Sequence, residues 1–125
     1  MKLLLDSNAF IWAYARPMEL STAARRALGD PANDRFISIA SIWEIAIKMS
    51  IGKLVLTSDL TRAIDDIAAV PLPIALAHIS RVQSLPFHHR DPFDRMMIAQ
   101  AIEEGLTIVT RDRSVKAYGV PVLTA

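Results

Sequence analysis

Along most of this chain, short apolar runs that end on polar residues alternate with longer amphipathic stretches. Lys2-Leu3-Leu4-Leu5 halts abruptly at Asp6, the pattern of a buried strand that delivers a carboxylate to the edge of a sheet. Ala9 to Tyr14 is apolar enough to begin a helix, and Arg16-Pro17 breaks it. Ser21 or Thr22 caps a predicted second helix through about residue 28, and Gly29 to Asn33 is turn chemistry. Arg35-Phe36-Ile37-Ser38 predicts a short strand. Over residues 41–49, apolar side chains at 42, 45, 46 and 49 and on much of the rest of the surface predict a mostly buried helix, ended by Gly52. Thr57-Ser58-Asp59 opens a further predicted helix, and Val70-Pro71-Leu72-Pro73 reads as an extended edge strand. Predicted helices over about 75–84 and 91–104 flank the loop Phe87-His88-His89-Arg90, and Gly105 closes the second of them. Leu106 to Thr110 is another apolar run, stopping at Arg111-Asp112; a short helix, a Tyr118-Gly119 turn and a strand over 120–123 follow. Helices alternating with short β-rich runs predict a three-layer α/β/α domain with a mainly parallel central sheet.

Composition narrows the function classes. A chain of 125 residues with 52% hydrophobic content predicts one folded domain, burying roughly 65% of its unfolded surface. No apolar stretch approaches the ~20 residues of a membrane span, and no signal-like layout precedes the first strand, so no membrane and a cytoplasmic location are expected. The absence of cysteine excludes disulfides, thiolate catalysis and thiolate zinc sites. Net charge is +1, but setting aside four grouped acids leaves 9 acids against 14 Lys+Arg. The remaining surface is then mildly basic around an acidic centre, as a polyanionic substrate requires.

Four acids stand at places that a parallel sheet brings to one rim. Asp6 and Asp112 follow strands, while Glu44 and Asp94 fall in the first turns of predicted helices. Taken singly, each is accounted for by helix capping: Ser41-Ile-Trp-Glu44 has the form of a capping box, and Asp91-Pro-Phe-Asp94 places Asp91 at a cap. Capping leaves Glu44 unexplained, because a carboxylate in a nearly all-apolar helix needs a strong partner. Two carboxylates ~4 Å apart repel by about 4 kcal/mol at an effective dielectric near 20, so four ionised together demand a cation. Oxygen-only ligation favours Mg²⁺ or Mn²⁺, the ions with which phosphoryl-transfer sites activate water.

The residues Leu3-Leu4-Leu5-Asp6-Ser7-Asn8, Ser41-Ile-Trp-Glu44-Ile-Ala-Ile-Lys48 and His88-His89-Arg90-Asp91-Pro-Phe-Asp94-Arg95 resemble the motifs of PIN-domain ribonucleases. So do Ile98-Ala99-Gln100-Ala101 and Gly105-Leu106-Thr-Ile-Val-Thr-Arg111-Asp112. The likeness is to the VapC toxins of type II toxin–antitoxin pairs and spans nearly the whole chain, weakest over residues 16–34 and 57–74. It implies a metal-dependent endoribonuclease with Asp6, Glu44, Asp94 and Asp112 around Mg²⁺ or Mn²⁺ and a polar Asn8 beside them. It also implies products bearing a 5′-phosphate, a cognate antitoxin and homodimerisation.

Lys48 is either the helix ion partner of Glu44 or a phosphate contact. Arg90, Arg95, Arg111 and Arg113 flank the downstream acids and are candidates for RNA backbone contacts. His88 and His89 are read as a solvated loop in preference to metal ligation, phosphate contact or acid–base work, and Trp12, Trp43 and Phe93 as core. Phe10, Ile11, Trp12 and Tyr14 line either the core or an antitoxin groove. Three rival readings follow: a metal-independent ribonuclease using His88 and His89 as acid and base, an aspartyl-nucleophile phosphatase, and a non-catalytic binding module. The phosphatase wants a second acid two residues after Asp6, where this chain has Asn8.

Overall fold

The strand β1 (Lys2–Leu5) lies at the centre of a five-stranded sheet in the computed structural model, which describes residues 1–125. Its three leucines are fully buried, because a central parallel strand is covered on both faces. The chain continues through α1 (Ser7–Ala15), a 3₁₀ turn (Pro17–Glu19), α2 (Thr22–Gly29), β2 (Asp34–Ser38) and α3 (Ile39–Ser50). Then follow α4 (Leu60–Asp66), β3 (Val70–Leu72), α5 (Leu76–Ser84) and α6 (Pro92–Glu104). The strand β4 (Thr107–Thr110), a second 3₁₀ segment (Arg113–Tyr118) and β5 (Val122–Thr124) complete it. No helix is long and apolar enough to cross a membrane.

The strands are ordered β3-β2-β1-β4-β5 and every neighbouring pair is parallel, so the expected sheet is found with no antiparallel member. Alternation along β1 divides the core between two faces. Leu3 and Leu5 pack with Phe10 of α1, Ile45 of α3 and Ala63 and Ile64 of α4, whereas Leu4 packs with Ile108 of β4 and Met97 and Ile98 of α6. The winding runs outward from β1 to β3, then returns to β4 on the other side of β1. Such a reversal between adjacent strands opens a crevice at their carboxyl ends, here just past Leu5 and Thr110.

The segment after β2 departs from expectation. Helix α3 starts at Ile39 with no intervening loop; Ser38 is its cap, accepting from the Ala40 N–H at 3.0 Å, and Ser41 is buried inside it. Glu44 therefore sits in the second turn and caps nothing. The helix is also less buried than its composition predicts. It packs through Ala40, Ser41 and Ile45, leaving Ile39, Trp43, Ile47 and Ile51 exposed at four-residue spacing. Trp43, expected in the core, is 62% exposed and makes a T-shaped contact with Phe93 at 5.3 Å.

Candidate active site: an acid-lined cleft

Asp6 and Asp112 leave β1 and β4, the neighbouring strands at the reversal, and the ladder between those strands runs up to them: the Asp6 N–H donates to the Val109 carbonyl at 3.2 Å. Glu44 reaches in from α3, and Asp94 from the first turn of α6. With Ser7, Asn8, Trp12, Lys48 and Arg111, the four acids line one cleft of about 120 Å³. A roomier cavity of about 390 Å³, with Leu5, Ala13, Leu20 and Ile67 among its walls, shares no residue with the cleft and groups no acids.

Two of the four acids also cap helical segments, so the capping and the cleft readings hold together at Asp6 and Asp112. Asp6 Oδ1 accepts from the Ala9 N–H at 2.7 Å, and Asp112 Oδ1 accepts from the Ser114 N–H at 2.9 Å and its hydroxyl at 2.7 Å. Asp91 caps α6 through the Phe93 and Asp94 N–H groups, as its sequence position predicts. Glu44 has different partners: Ser7 Oγ donates to its Oε1 at 2.6 Å, and Lys48 Nζ lies 3.6 Å from Oε2. Ser7 is the residue that sequence reasoning passed over. A buried hydroxyl in the turn after a strand-end acid is its only signal, and what it touches lies 37 positions downstream.

The crowding changes the acids' proton affinities. Burial pushes the Asp94 carboxyl up to about 7, reinforced by the charges of Asp91, Glu44 and Asp6 against the opposing pull of His89. Burial likewise raises Asp6, more than the Thr110 and Ala9 hydrogen bonds lower it. At Asp112 burial acts upward too, but the Ser114 hydrogen bonds and His89 outweigh it and leave the carboxyl below its ordinary range.

The expected cationic residues divide. Lys48 and Arg111 line the cleft, as does the exposed Asn8. Arg111 is tethered: its guanidinium lies 4.1 Å over the Trp12 ring, Nε donates to the Ala125 carbonyl at 3.1 Å, and Nη2 donates to the Glu19 carbonyl. Arg90 is exposed and lies outside the cleft lining. Arg113 joins Arg111 and Lys116 around an adjoining recess of about 360 Å³.

Arg95 is not available to RNA. It is 6% exposed, and its guanidinium donates to the carbonyls of Val82, Leu85, Pro86 and His89 and to the Tyr118 hydroxyl, with Phe87 stacked on it at 4.1 Å. A charge among the last carbonyls of α5 ties that helix to the loop before α6. Arg95→Ala is expected to lower stability by about 2–3 kcal/mol in urea unfolding, since buried carbonyls lose a charged donor.

The histidine loop also differs from expectation. His88 is exposed, its ring edge-on to Tyr118 at 5.0 Å. His89 is half-buried, and its Nε2 lies 2.7 Å from Asp112 Oδ2 and 3.1 Å from Asp94 Oδ2. An acid–base pair of two imidazoles is therefore not assembled. Phe10 belongs to the core, and Ile11, Trp12 and Tyr14 pack against it.

The donor set fits a hard divalent cation. All four acids offer oxygen, and the two whose proton affinity is raised are those a nearby positive charge would return to the ionised form.

Comparison with known proteins agrees with this geometry. The family model described as PIN domain matches residues 3–121. Ribonuclease VapC22 of Mycobacterium tuberculosis is 30% identical over 126 residues, covering 95% of this chain and 93% of that protein. A Rickettsia felis VapBC2 structure, bound to a DNA fragment from its promoter, superposes with a TM-score of 0.74 at 16% identity, covering 98% of both chains. FitAcB of Neisseria gonorrhoeae follows with a TM-score of 0.63 at 18% identity, covering 98% of this chain and 96% of its own. At these identities the structural likeness establishes the fold.

Proposed function

Because the chain belongs to the PIN-domain family, we propose that it is a metal-dependent endoribonuclease, the toxin of a type II toxin–antitoxin pair. The observation that carries this reading is the meeting of Asp6, Glu44, Asp94 and Asp112 in one cleft at the reversal point of a parallel sheet. These four carboxylates would hold Mg²⁺ or Mn²⁺. When bound, the ion would supply an activated water and positive charge beside the reacting phosphate.

The chain's own groups do the rest. Ser7 orients Glu44 by donating to Oε1, on the side of the carboxylate away from Lys48. Lys48 and Arg111 bring positive charge to the walls of the cleft, where a scissile phosphate would meet it. Asn8 adds an uncharged polar group at the rim. Arg113 and Lys116 extend the positive surface along the neighbouring recess, matching the backbone of a longer RNA, and Arg90 supplies a further exposed cation.

A cognate antitoxin and a homodimer complete the proposal. The relatives with solved structures include VapBC complexes, and the exposed Ile39-Trp43-Ile47-Ile51 face of α3 is an apolar surface of the kind that a second copy covers.

The test is incubation of the purified protein with a panel of cellular RNAs in Mg²⁺, Mn²⁺ or EDTA, beside Asp6→Asn. Discrete cleavage products bearing 5′-phosphates, lost in EDTA and in the variant, are expected. Cleavage that persists in EDTA and leaves cyclic phosphates would transfer the chemistry to His89 and overturn the metal reading.

A further inference from the structure

His89 is held as a hydrogen-bond donor by its own loop. The Asp91 backbone N–H donates to His89 Nδ1 at 3.1 Å, which excludes a proton from that nitrogen and assigns the ring proton to Nε2. Nε2–H then points between Asp112 Oδ2 and Asp94 Oδ2, at 2.7 and 3.1 Å. The loop cannot swing idly. The His89 N–H donates to the Tyr118 hydroxyl at 2.8 Å, that hydroxyl donates to the Pro86 carbonyl at 2.8 Å, and the buried Arg95 binds the Pro86 carbonyl as well.

This placement sets His89 against a cation instead of beside one. A nitrogen that carries a proton has no lone pair to give a metal. A ligating histidine normally donates its other ring N–H to an acceptor, whereas here the other nitrogen faces a backbone N–H, so reversing the tautomer would set two donors against each other. Asp112 Oδ1 already accepts twice from Ser114, which leaves Oδ2 as the oxygen for which His89 and a cation would contend.

We propose that His89 is a positioning residue that competes with the metal: its Nε2–H donates to Asp112 Oδ2 and lies 3.1 Å from Asp94 Oδ2, where it contends with a divalent cation for the same two oxygens. The imidazole keeps the two acids close to one another and lowers the affinity of the cleft for the ion. The inference rests on the metal reading of the cleft, and the experiment separates the two.

Mn²⁺ is titrated calorimetrically into the wild type, His89→Ala, His89→Gln and Asp94→Asn. His89→Ala is expected to bind about tenfold more tightly, the effect of freeing one charge-assisted hydrogen bond. His89→Gln, which retains an N–H donor of similar reach, should fall back toward the wild type, and Asp94→Asn should bind at least tenfold more weakly. Unchanged or weaker binding by His89→Ala, with the wild type binding normally, overturns the competition while leaving the metal reading intact. Absence of binding by both the wild type and His89→Ala overturns both. On the wild type alone, ¹⁵N NMR should place the His89 proton on Nε2 without metal and show that resonance shifting on Mg²⁺ saturation; a ring signal indifferent to Mg²⁺ overturns the proposal.

Discussion

Asp94→Asn is expected to slow RNA cleavage by about 10³-fold or more and, in the same protein, to raise the stability of the metal-free fold. The two effects share one cause. Asp94 is held among Asp91, Glu44 and Asp6 in a partly buried position that disfavours its charge, with only His89 pulling the other way. The amide keeps the shape and removes the charge, so ion binding is lost together with the repulsion. Above neutral pH in EDTA, the gain in unfolding free energy should be on the order of 1–3 kcal/mol. Quantitative gel assays of RNA cleavage and urea unfolding in EDTA measure the two sides. A variant that keeps more than a tenth of the activity, or that unfolds more easily than the wild type, contradicts the role assigned to this carboxylate.

The pH dependence of stability gives the second large effect. The Asp94 carboxyl is raised from its ordinary value of 3.8 to about 7, so the folded protein binds a proton there that the unfolded chain has already released. Its contribution to stability is fully present below about 4 and is lost as pH rises to about 7. Asp6, also raised, acts in the same direction. Asp112, lowered, contributes stability above its unfolded value and loses it on acidification, but its side chain is 41% exposed and its weight is small. In EDTA, Tm should therefore fall between pH 5 and 8, with a shallower fall in Asp94→Asn. Mn²⁺ at a hundred times its Kd should restore about 2.7 kcal/mol at pH 8, or on the order of 10 °C in Tm. The gain should shrink toward pH 5.5, where protons compete for the same oxygens. A Tm that is flat with pH in EDTA, or indifferent to Mn²⁺ at pH 8, would show that these acids are not waiting for a cation.

The apolar runs of β1 and β4, ending at Asp6 and Asp112, were legible as strands because burial on both faces forces unbroken hydrophobic sequence. Parallel pairing followed from the helices between them, and with it the rim at which the acids meet. Local chemistry was legible as well: Asp91 at the cap of α6 and Gly105, with φ of 67°, at its end are properties of a few adjacent residues. Where the sequence misled, the deciding contact was distant. Arg95 looks like one more cation beside an acid, and only the packing of α5 against α6 encloses it among carbonyls from Val82 to His89. Trp43 looks like core because nothing in a helix's composition says which apolar face the sheet will take. Ser7 acquires its role only through a partner 37 positions away, and His89 acquires its own when the fold brings Asp112, 23 positions away, to the imidazole.

The sequence by itself thus determined the layered parallel fold and the rim at which Asp6, Glu44, Asp94 and Asp112 come to line one cleft, since periodicity, caps and strand ends are written in neighbouring residues. The tertiary structure decided which polar groups are already occupied: the bound Arg95, the tethered Arg111, and the imidazole proton between Asp94 and Asp112. Occupancy depends on distances of about 3 Å between groups far apart in the chain, and only packing brings them that close.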